Sequence, residues 1–233
     1  MFLSSLLTVS EQTTQLVRWI SVGGVIALLG LLLLLGCLSN GKRFQAKELA
    51  FAGICVGLSF ILALIKVSPI QYGGSITLAS FVPIMIYAYV FGTIKGFLVG
   101  MIHGLLNFIE DPFILTPATL IFDYLLAFMS VGLMGFFGKM RKRERQLFPV
   151  ILGAICVFFT RFCCHLLSGM IFFSMDAVWV SFPEWATANA FVYSLIYQCV
   201  YIPADALIST CVLIALCKTG ALDRLTKIMR PSK

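Results

Sequence analysis

Charge is what this sequence has least of. Only 12% of its 233 residues are Asp, Glu, Lys or Arg, against roughly 25% in soluble domains. With 60% hydrophobic residues and a mean hydropathy of +1.01, that shortage excludes a soluble globular domain. Histidine is scarce, at 2 residues, and the 8 cysteines include no CxxC pair. Neither a zinc site nor an extracellular disulfide framework is therefore indicated, and the cysteines read as small buried hydrophobes within apolar runs. No GxSxG, HExxH or Walker A motif occurs. Cys164 and His165 are neighbours, but adjacent helix residues point in different directions and form no nucleophile–base contact. The chain is not expected to be an enzyme, and it carries no sign of a metal or cofactor. Without an ATP site of its own, any uphill transport would draw energy from a partner or an ion gradient.

What the chain does have is long, continuous apolar runs, which argue against an alternating β-barrel pattern. At about 20 residues per span, they predict an all-α integral membrane protein of six or seven helices. The first run, 17–38, is followed by Lys42, Arg43 and Lys47, a stop-transfer flank rather than a cleavage site, and reads as a retained helix. Further helices are predicted over about 48–66, 76–91, 93–108, 117–138, 148–174 and 189–217, with Pro203 inside the last. Between the second and third lies SPIQYGGS, whose paired glycines make 70–75 a candidate lid. Gly53 and Gly57, four residues apart, permit a close helix approach, either inside the bundle or from a partner.

Seven helices place Lys42, Arg43, Lys47, Lys95, the run 139–145 and the tail from Lys218 on one side of the membrane. That side gathers most of the 17 basic residues and is expected to be cytoplasmic. Glu110, Asp111, Asp176 and Glu184 fall opposite. The net charge of +7 is thereby explained without nucleic acid. The basic tail is expected to lie at the surface.

The chain is organised around 111–138, DPFILTPATLIFDYLLAFMSVGLMGFFG, where Asp123 and Tyr124 sit about two turns past Pro117. A charge at that depth costs several kcal/mol, from about 3 upwards, and calls for a partner or a task. His165 and Tyr193 fall at compatible depth on other helices. A carboxylate among aromatic rings suits a cationic or amine-bearing aromatic ligand. The alternative is that Arg161 or His165 merely neutralises Asp123. Tyr193, Tyr197 and Tyr201, spaced four apart, fit an interfacial belt or ordinary packing. Trp179 and Trp185 read as interface anchors. Asp205 reads as a partner for backbone groups freed at Pro203, or as an ion-coupling residue.

The stretches YGGSITLASFVPI, GMIHGLLNF, ILTPATLIFDYLLAF, GLMGFFGK, RFCCHLLSGMIFF and YSLIYQCVYIPADALI resemble the substrate-binding (S) components of energy-coupling factor vitamin transporters, most closely the thiamine-specific branch. The resemblance covers about 46–217. It implies a six-helix bundle over that range, an N-terminal extension with one extra transmembrane helix over 1–45, and a basic tail over 218–233. It assigns ligand binding to Asp123, Tyr124, His165 and Tyr193. Phe173 stands where the family stacks an aromatic ring on the ligand, Gln198 where it often has Asn, and Phe113 where it has a loop Tyr. The first-loop Trp of some members has no counterpart in QYGGS. Gly53 and Gly57 lie where members dock a transmembrane coupling subunit, while two ATPase subunits supply energy. The implied role is capture of thiamine from outside a cell membrane that the chain crosses several times. The alternatives are an S component for another vitamin or a thiamine precursor, and a stand-alone proton-coupled transporter.

Overall fold

Each helix of the bundle can be traced to a local signal. The computed structural model describes residues 44–69, 74–112, 119–173, 185 and 189–230. The run 17–38 and residues Phe113, Pro117 and Trp179 lie outside these, as does most of the candidate lid, 70–73. Helix α1 (Ala46–Leu64) starts where the backbone N–H of Gln45 donates to Glu48 Oε2 at 2.9 Å, which satisfies one of the donors every helix start leaves open. Strands β1 (Lys66–Pro69) and β2 (Ser75–Thr77) follow as an antiparallel hairpin pairing Lys66 with Thr77.

The helix expected over 76–91 is shorter than that. Ile76 and Thr77 belong to β2, and Ala79 takes a left-handed φ of 55°, so α2 runs only from Phe81 to Phe91. At ~1.5 Å per residue its 11 residues reach about half the ~30 Å hydrocarbon thickness. Every residue from Phe81 to Tyr89 is buried, which makes α2 the core of the bundle.

Helix α3 (Thr93–Glu110) packs against both α2 and the central helix α4 (Leu120–Met140). Gly96, Gly100 and Gly104 recur every four residues on α3; Gly100 and Gly104 face α4, and Gly96 meets both Ala88 of α2 and Gly132 of α4. A Cβ at Gly100 would meet the carbonyl oxygen of Phe128, and one at Gly104 that of Tyr124. In lipid, where no hydrophobic force drives helix against helix, such close backbone approach is a main source of association. Long helices α5 (Leu147–Phe173) and α6 (Ala190–Lys218) pack along one another. Asn189 caps α6 by accepting from the backbone of Val192 at 2.9 Å.

Four of these helices, α1, α4, α5 and α6, are long and apolar enough to cross a membrane. Their outward residues agree: Leu49, Ile54, Ile61, Phe148, Phe159 and Leu207 are exposed apolar side chains that lipid accommodates and water would not. The chain is an all-α multi-pass membrane protein with a small hairpin at one end.

Among the described residues the expected basic side forms a single end; Lys42, Arg43 and Lys233 lie outside them. There Lys95 pairs with Glu48 at 2.5 Å and the ammonium of Lys47 donates to the carbonyl of Arg230 at 3.0 Å. The tail departs from expectation. Ala221–Met229 is a seventh described helix, α7, with Leu222, Asp223, Thr226 and Met229 buried. Asp223 pairs with Arg141 and accepts from the backbone N–H of Arg145, so the 139–145 loop and the tail hold each other. Leu222, Leu225, Ile228 and Met229 give these nine residues a helical apolar period, but which side is buried becomes evident only against the neighbours.

Candidate functional site

Away from the basic end, α3, α4, α5, α6 and the hairpin leave a cavity with an empty volume of about 830 Å³, its open mouth included. Asp123, Tyr124, His165, Tyr193 and Gln198 all line it, brought together from three helices. Phe173 ends α5, but its side chain lies outside the described set, as does the whole of Phe113. Gly53 and Gly57 are on α1, away from the cavity, and nothing lies within 4 Å of where a Cβ on either would stand.

The Asp123 carboxylate is held in two places. One oxygen lies 2.7 Å from His165 Nδ1, and the other accepts the Ser168 hydroxyl at 2.5 Å. The backbone around it is unusual: Leu120–Leu126 is π-helical, a wide turn frequent at functional sites. Tyr124, next in that turn, lines the cavity with its ring while its hydroxyl donates to the carbonyl of Asp111 at 2.7 Å. Phe108 meets the same ring edge-on at 5.2 Å. On α6, Gln198 donates its amide to the His165 carbonyl at 3.2 Å, which fixes α5 against α6 beside the site.

The tyrosine stripe faces inward. Tyr193, Tyr197 and Tyr201 are buried and line the cavity, so they form a wall rather than a belt at the membrane surface. The Tyr197 hydroxyl accepts from the backbone N–H of Gly74 at 3.3 Å, and a Cβ at Gly74 would crowd that oxygen at 2.8 Å. The hairpin thus rests against the wall only because position 74 carries no side chain. Trp185 is 68% exposed, away from this wall.

Two expectations about charge are corrected. Arg161 does not pair with Asp123; its Nη1 donates to Asp205 Oδ2 at 2.6 Å. Asp205 is likewise not spent on backbone groups near Pro203, because its other oxygen accepts from Thr77 Oγ1 at 3.0 Å. Thr77 also bonds Ser80 at 2.7 Å. The strand that displaced the expected start of α2 therefore supplies a hydroxyl to a buried carboxylate. The Arg161 guanidinium lies over the Phe81 ring at 4.3 Å, and Phe81 stacks on Phe128 at 5.3 Å.

Sequence reasoning missed Ser168, Thr77, Ser80, Phe81 and Phe128. Ser168 was within reach of it, since it stands three residues after His165 and shares that helix face. The other four depend on how the hairpin folds over the bundle. His103 is fully buried, edge-on to Phe128 at 5.2 Å, and neither ring nitrogen has a hydrogen-bond partner among the described residues.

Ion pairs tie the hairpin to the end of α3. Lys66 of the hairpin reaches Glu110 at 3.0 Å and Asp111 at 2.9 Å at the end of α3. Burial lowers the affinity of the Lys66 ammonium for its proton, but the bonds and charges of Asp111 and Glu110 together outweigh this, and its pKa is raised.

The chain is similar to known proteins. The family model described as "Thiamine transporter protein (Thia_YuaJ)" matches residues 49–223. The protein "Thiamine transporter ThiT" of Bacillus subtilis (strain 168) is 28% identical over 156 residues, covering 64% of this chain and 77% of that protein. The solved structure of ThiT from Listeria monocytogenes superposes with a TM-score of 0.58 at 20% identity, covering 79% of this chain and 97% of the other. That likeness shows a shared fold.

Proposed function

This chain belongs to the thiamine transporter family, and we propose that it is a thiamine-capture subunit, the S component of an energy-coupling factor transporter. It is a multi-pass membrane transporter rather than an enzyme. The observation that carries the proposal is the Asp123 carboxylate, fixed by His165 and Ser168 and facing a cavity walled by tyrosines. Thiamine joins a thiazolium cation to an aminopyrimidine. The cation calls for a carboxylate and aromatic faces, and the pyrimidine for hydrogen-bonding groups such as those of Gln198 and Tyr193.

In this reading, binding is non-covalent. Thiamine enters from the outer side, past the Lys66 clasp, and meets a carboxylate already oriented by two donors, so little ordering cost remains. Asp123, Tyr124, His165, Tyr193 and Gln198 contact it; Phe173 and Phe113 are assigned to it by the resemblance alone. Release inward requires work. The sequence carries no Walker A loop, so a transmembrane coupling subunit and two ATPase subunits provide it. The exposed α1 face is the docking surface for the coupling subunit: Gly53 and Gly57 leave open space, flanked by exposed Leu49, Ile54, Leu58 and Ile61.

Calorimetry on the purified full chain in detergent tests the capture step, with riboflavin and the separate pyrimidine and thiazole halves as competitors. Saturable thiamine binding that riboflavin does not displace is the expected result; absence of binding would overturn the proposal. Uptake into vesicles holding the partner subunits should require ATP hydrolysis. Uptake by this chain alone on a pH gradient would favour a stand-alone transporter.

A further inference from the structure

Among the described residues, two charged side chains line the cavity: Asp123 and Arg161. A cation entering it would meet one carboxylate and one guanidinium, with no net attraction from the lining. A third charge alters that balance. Asp205, fully buried and outside the lining, stands behind Arg161 and holds its Nη1 at 2.6 Å. We infer that Asp205 is a specificity-determining residue that cancels the Arg161 charge and leaves Asp123 to set the sign of the cavity.

The surrounding contacts are arranged for this role. Thr77 donates to the second Asp205 oxygen at 3.0 Å, which leaves the first directed at Arg161. Phe81 and Phe128 lie against the guanidinium at 4.3 and 5.5 Å to their centroids, so ring faces shield the charge that Asp205 does not cover. The effect is large because Arg161 and Asp205 lie in a buried site. Charges a few ångströms apart interact several times more strongly there than in water. Arg161 keeps its packing and its contact with the hairpin network, yet a cationic ligand is not repelled by it. An unneutralised Arg161 would turn the same cavity toward neutral or anionic ligands.

The inference rests on the thiamine reading, and its test separates the two. The purified full chain is titrated with thiamine and with a neutral isostere in which thiophene replaces the thiazolium ring. In Asp205→Asn, which keeps an acceptor for Thr77, thiamine affinity should fall by about tenfold or more while that of the isostere changes by about twofold or less. The double variant Arg161→Gln with Asp205→Asn removes both charges and should restore the parental ratio of the two affinities. Should Asp205→Asn fail to fold, Arg161→Gln carries the test with opposite sign and should favour thiamine over the isostere. Equal losses for both ligands, or an unchanged ratio in the folded single variant, would overturn the inference and leave thiamine capture standing. If the parent chain binds no thiamine, both readings fall.

Discussion

His165 Nδ1 lies 2.7 Å from Asp123 Oδ1, a contact between α5 and α4 that spans 42 positions of sequence. With Ser168 on the other oxygen, it turns a carboxylate that would be costly at membrane depth into an oriented acceptor.

Removing that charge should weaken capture of a cation. Asp123→Asn is expected to lower thiamine affinity roughly tenfold to a hundredfold, the range for losing a hydrogen bond or contact to a charged group. Ser168→Ala removes one supporting donor and should cost less, about three- to tenfold. Calorimetry on both variants checks the order; an unchanged affinity in Asp123→Asn would remove the carboxylate from the ligand site.

The glycines of α3 and those of α1 should behave in opposite ways. Gly104→Leu drives a side chain into the Tyr124 carbonyl and should cost about 1–3 kcal/mol or more. Thermal unfolding in detergent would register this as a lower midpoint. Gly53→Ala meets open space and should leave that midpoint where it is.

If the α1 face receives the coupling subunit, larger side chains there should separate binding from uptake. Gly53→Leu and Gly57→Leu are expected to bind thiamine as the parent does, because the cavity lies elsewhere. Uptake by the assembled complex should fall. Normal uptake in both variants would place the docking surface on another face.

The Lys66 clasp has a defined pH dependence. Its pKa is raised in the folded protein by Asp111 and Glu110 against the opposing effect of burial. A raised ammonium pKa contributes stability that is fully present below the unfolded value of ~10.4 and is lost as pH rises through the higher folded value. Hydrogen exchange in the hairpin should therefore show no change attributable to Lys66 between about pH 6 and 9 beyond the intrinsic pH effect. Lys66→Met should speed exchange at Thr77 and its neighbours throughout that range.

Much of this protein was legible in one dimension. Continuous apolar runs with few charges permit only helices in lipid, because each backbone group must be satisfied within its own segment. The clustering of Lys and Arg fixed which helix ends lie together, and the structure gathers Lys47, Lys95, Arg141 and Arg230 at one end. Asp123 could be singled out because a carboxylate in such a run is costly wherever it is. The resemblance then placed Tyr124, His165, Tyr193 and Gln198 beside it, and all four line the same cavity.

Partner choice was not legible. Arg161 and His165 are one turn apart, and nothing in their spacing says which of them meets Asp123 and which meets Asp205. That depends on how α5 is rotated against α4 and α6, a property of packing between segments. The hairpin is a similar case: ITLAS reads as the start of a helix, yet Thr77 is drawn into a strand where its hydroxyl reaches Asp205. The tyrosine stripe has one spacing and two possible directions, and only the packed bundle turns it inward. Local sequence determined that there would be helices and which charge needed an answer. The tertiary structure decided which residue gives that answer, because a buried charge is satisfied by whatever the fold brings within about 3 Å of it.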